Sequence, residues 1–153
     1  MESPGDDFSM HLRRAYLSMH RRANAYFARH GLTADQYVVL TALADRGEIT
    51  QQDLVRCLHS DPNTVRAILL RLVALGLVER KPHATDGRAW AVSLTQKGVT
   101  TQRLLWEFNE DFQRELEGLF EPAELQAFLA YLGRVTRAMG TVGRRADART
   151  PPA

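Results

Sequence analysis

From Asp7 to Gly76 the apolar residues recur every three or four positions; after Gly76 that rhythm stops. It gives way to two short runs of strand character, "LVERKP" and "AWAVSLT", separated by "HATDGR". In the second run Trp90, Val92 and Leu94 are expected to point one way, and Ala89, Ala91 and Ser93 the other. Asp86-Gly87 signals a tight turn in which glycine takes up positive φ. The helical period returns after Thr95. The chain is therefore expected to be mainly α, with a two-stranded hairpin standing out from it as a wing.

The helices can be placed from their caps and stripes. The first runs from Asp7 to about His30, with Phe8, Leu12, Ala15, Tyr16, Met19, Ala23 and Tyr26 on one face, and Gly31 ends it. Thr33 caps a second, with Tyr37, Leu40, Leu43 and Ala44 facing inward and Gly47 as terminator. Thr50 caps a shorter third, "TQQDLVRCLH". The fourth begins within "SDPNTVRAILLRLVALG": Ser60 and Asp61 offer capping oxygens, Pro62 fits the first helical turn, and Val65, Ile68, Leu69, Leu72 and Leu75 form the buried stripe. Thr95 caps a long fifth helix reaching about Leu119, striped by Leu105, Phe108, Phe112, Leu116 and Leu119. Pro122 opens the last, with Leu125, Phe128, Leu129, Leu132 and Val135. Residues 1–6 read as a loose start and 143–153 as a flexible tail. The expected division is 1–32 and 95–142 for dimerisation helices around a helix–turn–helix and wing at 33–94. Apolar stripes at both ends of so short a chain suggest packing against a second copy.

The fourth helix poses a chemical question, because its outward first turn carries Asn63, Thr64 and Arg66. A helix held by its back face in the DNA major groove reads bases with this turn. Short polar side chains let the backbone approach, and an arginine suits guanine or phosphate. Such a turn also simply caps and solvates a helix end. The DNA reading gains weight from its neighbours, a short helix before it and a hairpin carrying Arg80, Lys81, His83 and Arg88 after it, able to follow the phosphate backbone toward the minor groove. Bulk charge contributes little here. Lys and Arg number 20 against 18 Asp and Glu, a net charge of +2, so any basic surface is local.

Other functions find less support. There is no glycine-rich phosphate loop, nucleophile elbow or metal-ligand motif, so no enzyme and no cofactor is expected. The histidines, His11, His20, His30, His59 and His83, are scattered, which argues against a metal-responsive regulator. A winged helix serving only protein contacts should lack the cations Arg66, Arg71, Arg80, Lys81 and Arg88. The single cysteine, Cys57, permits no intramolecular disulfide. It lies among apolar residues and reads as an inert buried thiol rather than a redox sensor. The start "MESPGDDFSM" does not look like a signal peptide, and no apolar run approaches the ~20 residues of a membrane span, so a cytoplasmic location is expected.

The segments "LTADQYVVLTAL", "ITQQDLVRCL", "NTVRAILLRLVALGLVER" and "DGRAWAVSLTQKG" resemble the MarR family of winged helix–turn–helix regulators, most strongly over residues 32–98. The resemblance implies a homodimer on pseudo-palindromic promoter DNA, usually as a repressor. The candidate DNA-facing residues are Gln51, Gln52, Pro62, Asn63, Thr64, Arg66, Ala67, Arg71, Lys81, His83, Asp86 and Arg88. Asp86 and Arg88 fall on the family's Asp-x-Arg wing, where the arginine enters the minor groove or is held by the aspartate. Three positions depart from the pattern. Arginine stands at Arg66 rather than at Ala67, Gly87 replaces a wing arginine, and His59 occupies a turn that often carries glycine. The resemblance also implies release from DNA by a small aromatic or phenolic acid, in a pocket with Arg14, Tyr16, His20, Tyr37 and Trp106 as candidate lining.

Overall fold

The computed structural model describes residues 7–140. The expected loose start at 1–6 and tail at 143–153 lie outside the described residues. In chain order the elements are α1 (Phe8–Ala28), α2 (Ala34–Arg46), β1 (Ile49–Thr50), α3 (Gln51–Leu58), α4 (Pro62–Ala74), β2 (Val78–Pro82), β3 (Trp90–Leu94), α5 (Gln96–Glu117) and α6 (Pro122–Gly140). Contacts divide the chain into two units after Phe108, so the division falls inside α5.

Helix starts follow the caps read from the sequence. The Asp7 carboxylate accepts from the Met10 N–H at 2.8 Å. Thr33 and Gln36 close a reciprocal capping box at the start of α2. The Thr50 hydroxyl accepts from Asp53 N–H at 3.0 Å. Three of the exits use glycine with positive φ, at Gly31, Gly47 and Gly76. The exit from α3 does not. His59, the one non-glycine of the described residues with positive φ, turns there at φ 49°. A β-carbon at such a site costs roughly 1 kcal/mol relative to glycine.

The core of the first unit forms where α4 lays Val65, Leu69 and Leu72 against α2 and α3, which bring Leu40, Leu43 and Leu54. Val39 and Tyr37 complete the buried side of α2, whereas Ala44 is exposed, contrary to the stripe read from the sequence. α2 contacts α1, α3, α4 and β3, so its buried arc spreads beyond one narrow stripe. In α1 only Ala23 and Phe27 are buried. Phe8, Tyr16 and Met19, expected on the packed face, are exposed. The α5 helix stops at Glu117, two residues short of Leu119, which is 71% exposed. No residue of α6 is buried.

The sheet has three strands, not two, in the order β1-β3-β2, all antiparallel. The added strand, β1, is two residues long and pairs Ile49 with Val92 and Thr50 with Ala91. It is too short to show any period. It also changes the faces of β3. Ala91 is buried together with Val92 because β3 is now the central strand, and Trp90, placed with Val92 by alternation, is exposed near the open end. The wing loop differs from expectation as well. Gly87 does not have positive φ; instead the Asp86 carboxylate accepts from the Arg88 N–H at 3.0 Å, and the Asp86 carbonyl accepts from Ala89 N–H at 3.0 Å. An Asx turn thus shapes the bend that a glycine was expected to make.

Candidate nucleic-acid interface

The back of α4 is fixed in the core, so its first turn is presented outward by default. Pro62, Asn63, Thr64, Arg66, Ala67 and Arg71 are all exposed. One Asp61 oxygen accepts from the N–H groups of Asn63, at 3.0 Å, and Thr64, at 2.9 Å, while the other accepts from the Thr64 hydroxyl. These donors hold the Asp61 carboxyl below the usual carboxylate range, the Thr64 hydroxyl contributing most. Thr64 therefore gives its proton to the cap. Asn63 and Arg66 make no side-chain hydrogen bond or ion pair among the described residues and remain open to an outside partner. At the start of α3, Gln52 is exposed, whereas Gln51 is half-buried with its amide oxygen unpartnered.

Among the wing candidates, Arg88 is exposed at the loop, and no ion pair of its guanidinium occurs among the described residues. Asp86 holds the backbone of Arg88 through the Asx turn, so the aspartate orients the loop rather than neutralising the arginine. Lys81 behaves differently. Its ammonium lies 3.4 Å from Glu79 and 3.6 Å from Glu48. The Glu79 charge, more than Glu48, raises its pKa above the ordinary lysine value. His83 accepts on Nδ1 from the Thr85 N–H at 3.4 Å, which places the proton of its neutral ring on Nε2. Trp90, which the sequence does not single out as a site residue, lies under Arg80, with the guanidinium carbon 4.3 Å from the ring centroid.

The five effector candidates do not share one environment. Tyr37 is core, stacked on Phe27 at 4.4 Å between centroids, and burial pushes its phenol above the ordinary tyrosine value. Thr41 pulls the other way, but neither hydroxyl reaches hydrogen-bonding geometry. His20 joins α1 to α2. Its Nε2 lies 3.0 Å from an Asp35 oxygen, and its Nδ1 lies 3.1 Å from the Asn24 amide nitrogen. Because the Asn24 oxygen accepts from Ala34 N–H at 2.8 Å, the Asn24 nitrogen is the donor to His20, and Nε2 carries the neutral ring's proton. Tyr16 stacks on His20 at 5.4 Å, and Arg14 is exposed. A cavity of about 620 Å³ opens elsewhere, lined by Val38, Thr41 and Asp45 of α2, Cys57 and Leu58 of α3, and Gln102 and Trp106 of α5, among others. Of the five candidates only Trp106 lines it. Cys57, expected to be buried, is half-buried at this cavity.

Among the described residues no group of three or more His, Cys, Asp or Glu side chains is placed to hold a metal ion. No helix of these residues is long and apolar enough to cross a membrane.

Residues 30–89 match the family model described as "MarR family". The chain is 37% identical over 92 residues to the HTH-type transcriptional repressor NicR of Pseudomonas putida, covering 58% of this chain and 56% of NicR, so it spans little more than half of that relative's length. A solved structure of BpsR from Bordetella bronchiseptica, concerned with regulation of its DNA binding by 6-hydroxynicotinic acid, superposes with a TM-score of 0.82. It has 29% identity and covers 89% of this chain and 97% of that one. A mutant of MarR from E. coli complexed with operator DNA gives 0.81 at 25% identity, covering 88% and 99%. By sequence over residues 30–89 and by superposition over most of its length, the chain is similar to winged helix–turn–helix proteins of the MarR family.

Proposed function

We propose that the chain is a sequence-specific DNA-binding regulator, acting in the cytoplasm as a homodimer and repressing at pseudo-palindromic promoter sites. The observation that carries this reading is the first turn of α4. Asn63 and Arg66 stand exposed with unspent donors over a fully buried Val65, Leu69 and Leu72. A turn so fixed presents base-reading groups without having to reorganise. Dimerisation is supported by the large apolar side chains left uncovered on α1 (Phe8, Tyr16, Met19) and on α6 (Phe128, Leu129, Tyr131, Met139). Repression is supported by the likeness to NicR.

Release by a small aromatic acid is part of the proposal. It rests on the likeness to BpsR, whose DNA binding responds to 6-hydroxynicotinic acid. That compound is the first probe to add. The test is a fluorescence-anisotropy titration of the chain onto labelled DNA from upstream of its own gene, with a scrambled duplex as control, at several salt concentrations. Tight, salt-sensitive binding to the native duplex alone is the expected result. Equal affinity for both duplexes would refute the sequence-specific reading, and no binding to either at low salt would refute DNA binding itself.

A further inference from the structure

The β2–β3 ladder gives the wing two chemically different faces. Pro82 stands opposite Trp90 and Arg80 opposite Val92, so these four residues share one face, with Glu79, Lys81, Ala91 and Ser93 on the other. The second face carries two carboxylates to one ammonium. Lys81 lies against Glu79 and Glu48, and Glu79 also accepts from the Ser93 hydroxyl at 3.2 Å. A phosphate approaching there meets a lysine whose charge is already matched. The first face carries the Arg80 guanidinium, 4.3 Å above the Trp90 ring, with no carboxylate partner and no hydrogen bond among the described residues. Its Nε is buried without a partner, so the stem is held against the sheet while the planar group stacks on the indole. Trp90 itself remains 43% exposed.

We infer that the wing meets the sugar–phosphate backbone of DNA through the Arg80–Trp90 face. Arg80 is the phosphate anchor and Trp90 the platform that orients it; Lys81 is not a phosphate contact. This rests on the DNA-binding reading above and adds to it which wing cation carries the backbone contact. The stack spares Arg80 the conformational entropy that a free arginine would lose on binding.

The test follows anisotropy and intrinsic tryptophan fluorescence together while the full chain is titrated onto the upstream duplex. In the wild type the indole emission is expected to change on binding, and Trp90→Phe should abolish the change although Trp106 remains. Arg80→Gln should flatten the slope of log affinity against log salt by about 0.9, the share of one phosphate, without altering the ratio between native and scrambled duplex. A wild-type slope in Arg80→Gln, or an undiminished emission change in Trp90→Phe, would overturn the assignment. Trp90→Phe keeps an aromatic ring under the guanidinium, so the fluorescence arm stands even if Arg80→Gln melts. Wild-type protein that binds no duplex in a salt-dependent way would overturn the DNA-binding reading itself. Wild type that binds while both variants behave like it would overturn only the choice of wing face.

Discussion

Gly98 tests the join between wing and helix more severely than any other residue. It lies in the first turn of α5, against the chain that enters the wing. A β-carbon built there overlaps the Leu77 carbonyl oxygen and lies 3.0 Å from the carbonyl carbon. Ordinary C···O contact begins near about 3.3 Å, so Gly98→Ala requires α5 and Leu77 to part by about 1 Å or more. Several bonds oppose that movement. The Thr95 N–H donates to the same Leu77 oxygen at 3.1 Å, the Thr95 hydroxyl donates to the Gly76 carbonyl at 2.6 Å, and the Lys97 ammonium donates to the Leu75 carbonyl at 2.9 Å. Overpacking costs about 1–3 kcal/mol, and each hydrogen bond stretched out of range costs about 1 kcal/mol more. Alanine returns up to about 1 kcal/mol of helix propensity. The net expectation is a loss of about 3 kcal/mol, or roughly 6–12 °C in Tm for a chain of this size. The assay is thermal unfolding followed by circular dichroism, at one fixed protein concentration because the Tm of the proposed dimer would depend on it. Gly87→Ala is the control: nothing lies within 4 Å of its β-carbon and its φ is not positive. It should hold Tm or raise it by the equivalent of up to about 1 kcal/mol. A Gly98→Ala protein melting within about 2 °C of wild type would show that α5 and the wing do not meet as closely as described.

The remaining predictions concern the interface. Arg88→Ala should weaken binding to native and scrambled duplexes alike and reduce the salt slope by about 1; unchanged affinity removes Arg88 from the contact. Asn63→Ala and Arg66→Ala should each narrow the native-to-scrambled preference by about 1–3 kcal/mol, and an unchanged ratio rejects the base-reading turn. Asp61 sets a pH dependence: its folded pKa lies below the ordinary carboxylate value, so its contribution is present above that ordinary value and lost as pH falls through the lowered one. Asp61→Asn should therefore flatten the acid limb of the stability–pH curve, and an unchanged limb would refute the cap. Thr64→Val, which removes the largest cause of the depressed pKa, should shift the acid limb in the same direction but less far.

What can be read from the sequence is local. Caps announce themselves through one side chain three residues from its target, which is why Thr33, Thr50 and Asp61 are legible along with the helices they start. The buried stripe of α4 is legible for the same reason: Val65, Leu69 and Leu72 satisfy a period that their own helix imposes. The errors lie where a residue's surroundings come from elsewhere in the chain. β1 has two residues and exists because β3 offers it an edge. Once it is there, Ala91 is covered from a side that alternation along β3 leaves open. The stripe of α1 is a correct reading of apolar spacing, yet burial on this chain stops at Ala23 and Phe27. Phe8, Tyr16 and Met19 find no cover in the described residues.

The wing shows why residue type alone cannot rank its cations. Arg80, Lys81 and Arg88 look alike in sequence, as three charges around a turn. Pairing separates them. Register sets Lys81 on the face with Glu79, and β1 brings Glu48 to the same place, so its charge is matched internally. One residue earlier, Arg80 falls on the opposite face and meets an aromatic ring instead of a carboxylate. Arg88 lies beyond the ladder, where the Asp86 carboxylate binds its backbone and leaves its side chain open. A shift of β2 by one residue would carry Arg80 to the face of Glu48, and Lys81 together with Glu79 to the face of Trp90. The strand register therefore decides which wing cations stay unpaired, and the pairs along it include apolar ones, Val78 against Leu94 and Val92 against Ile49.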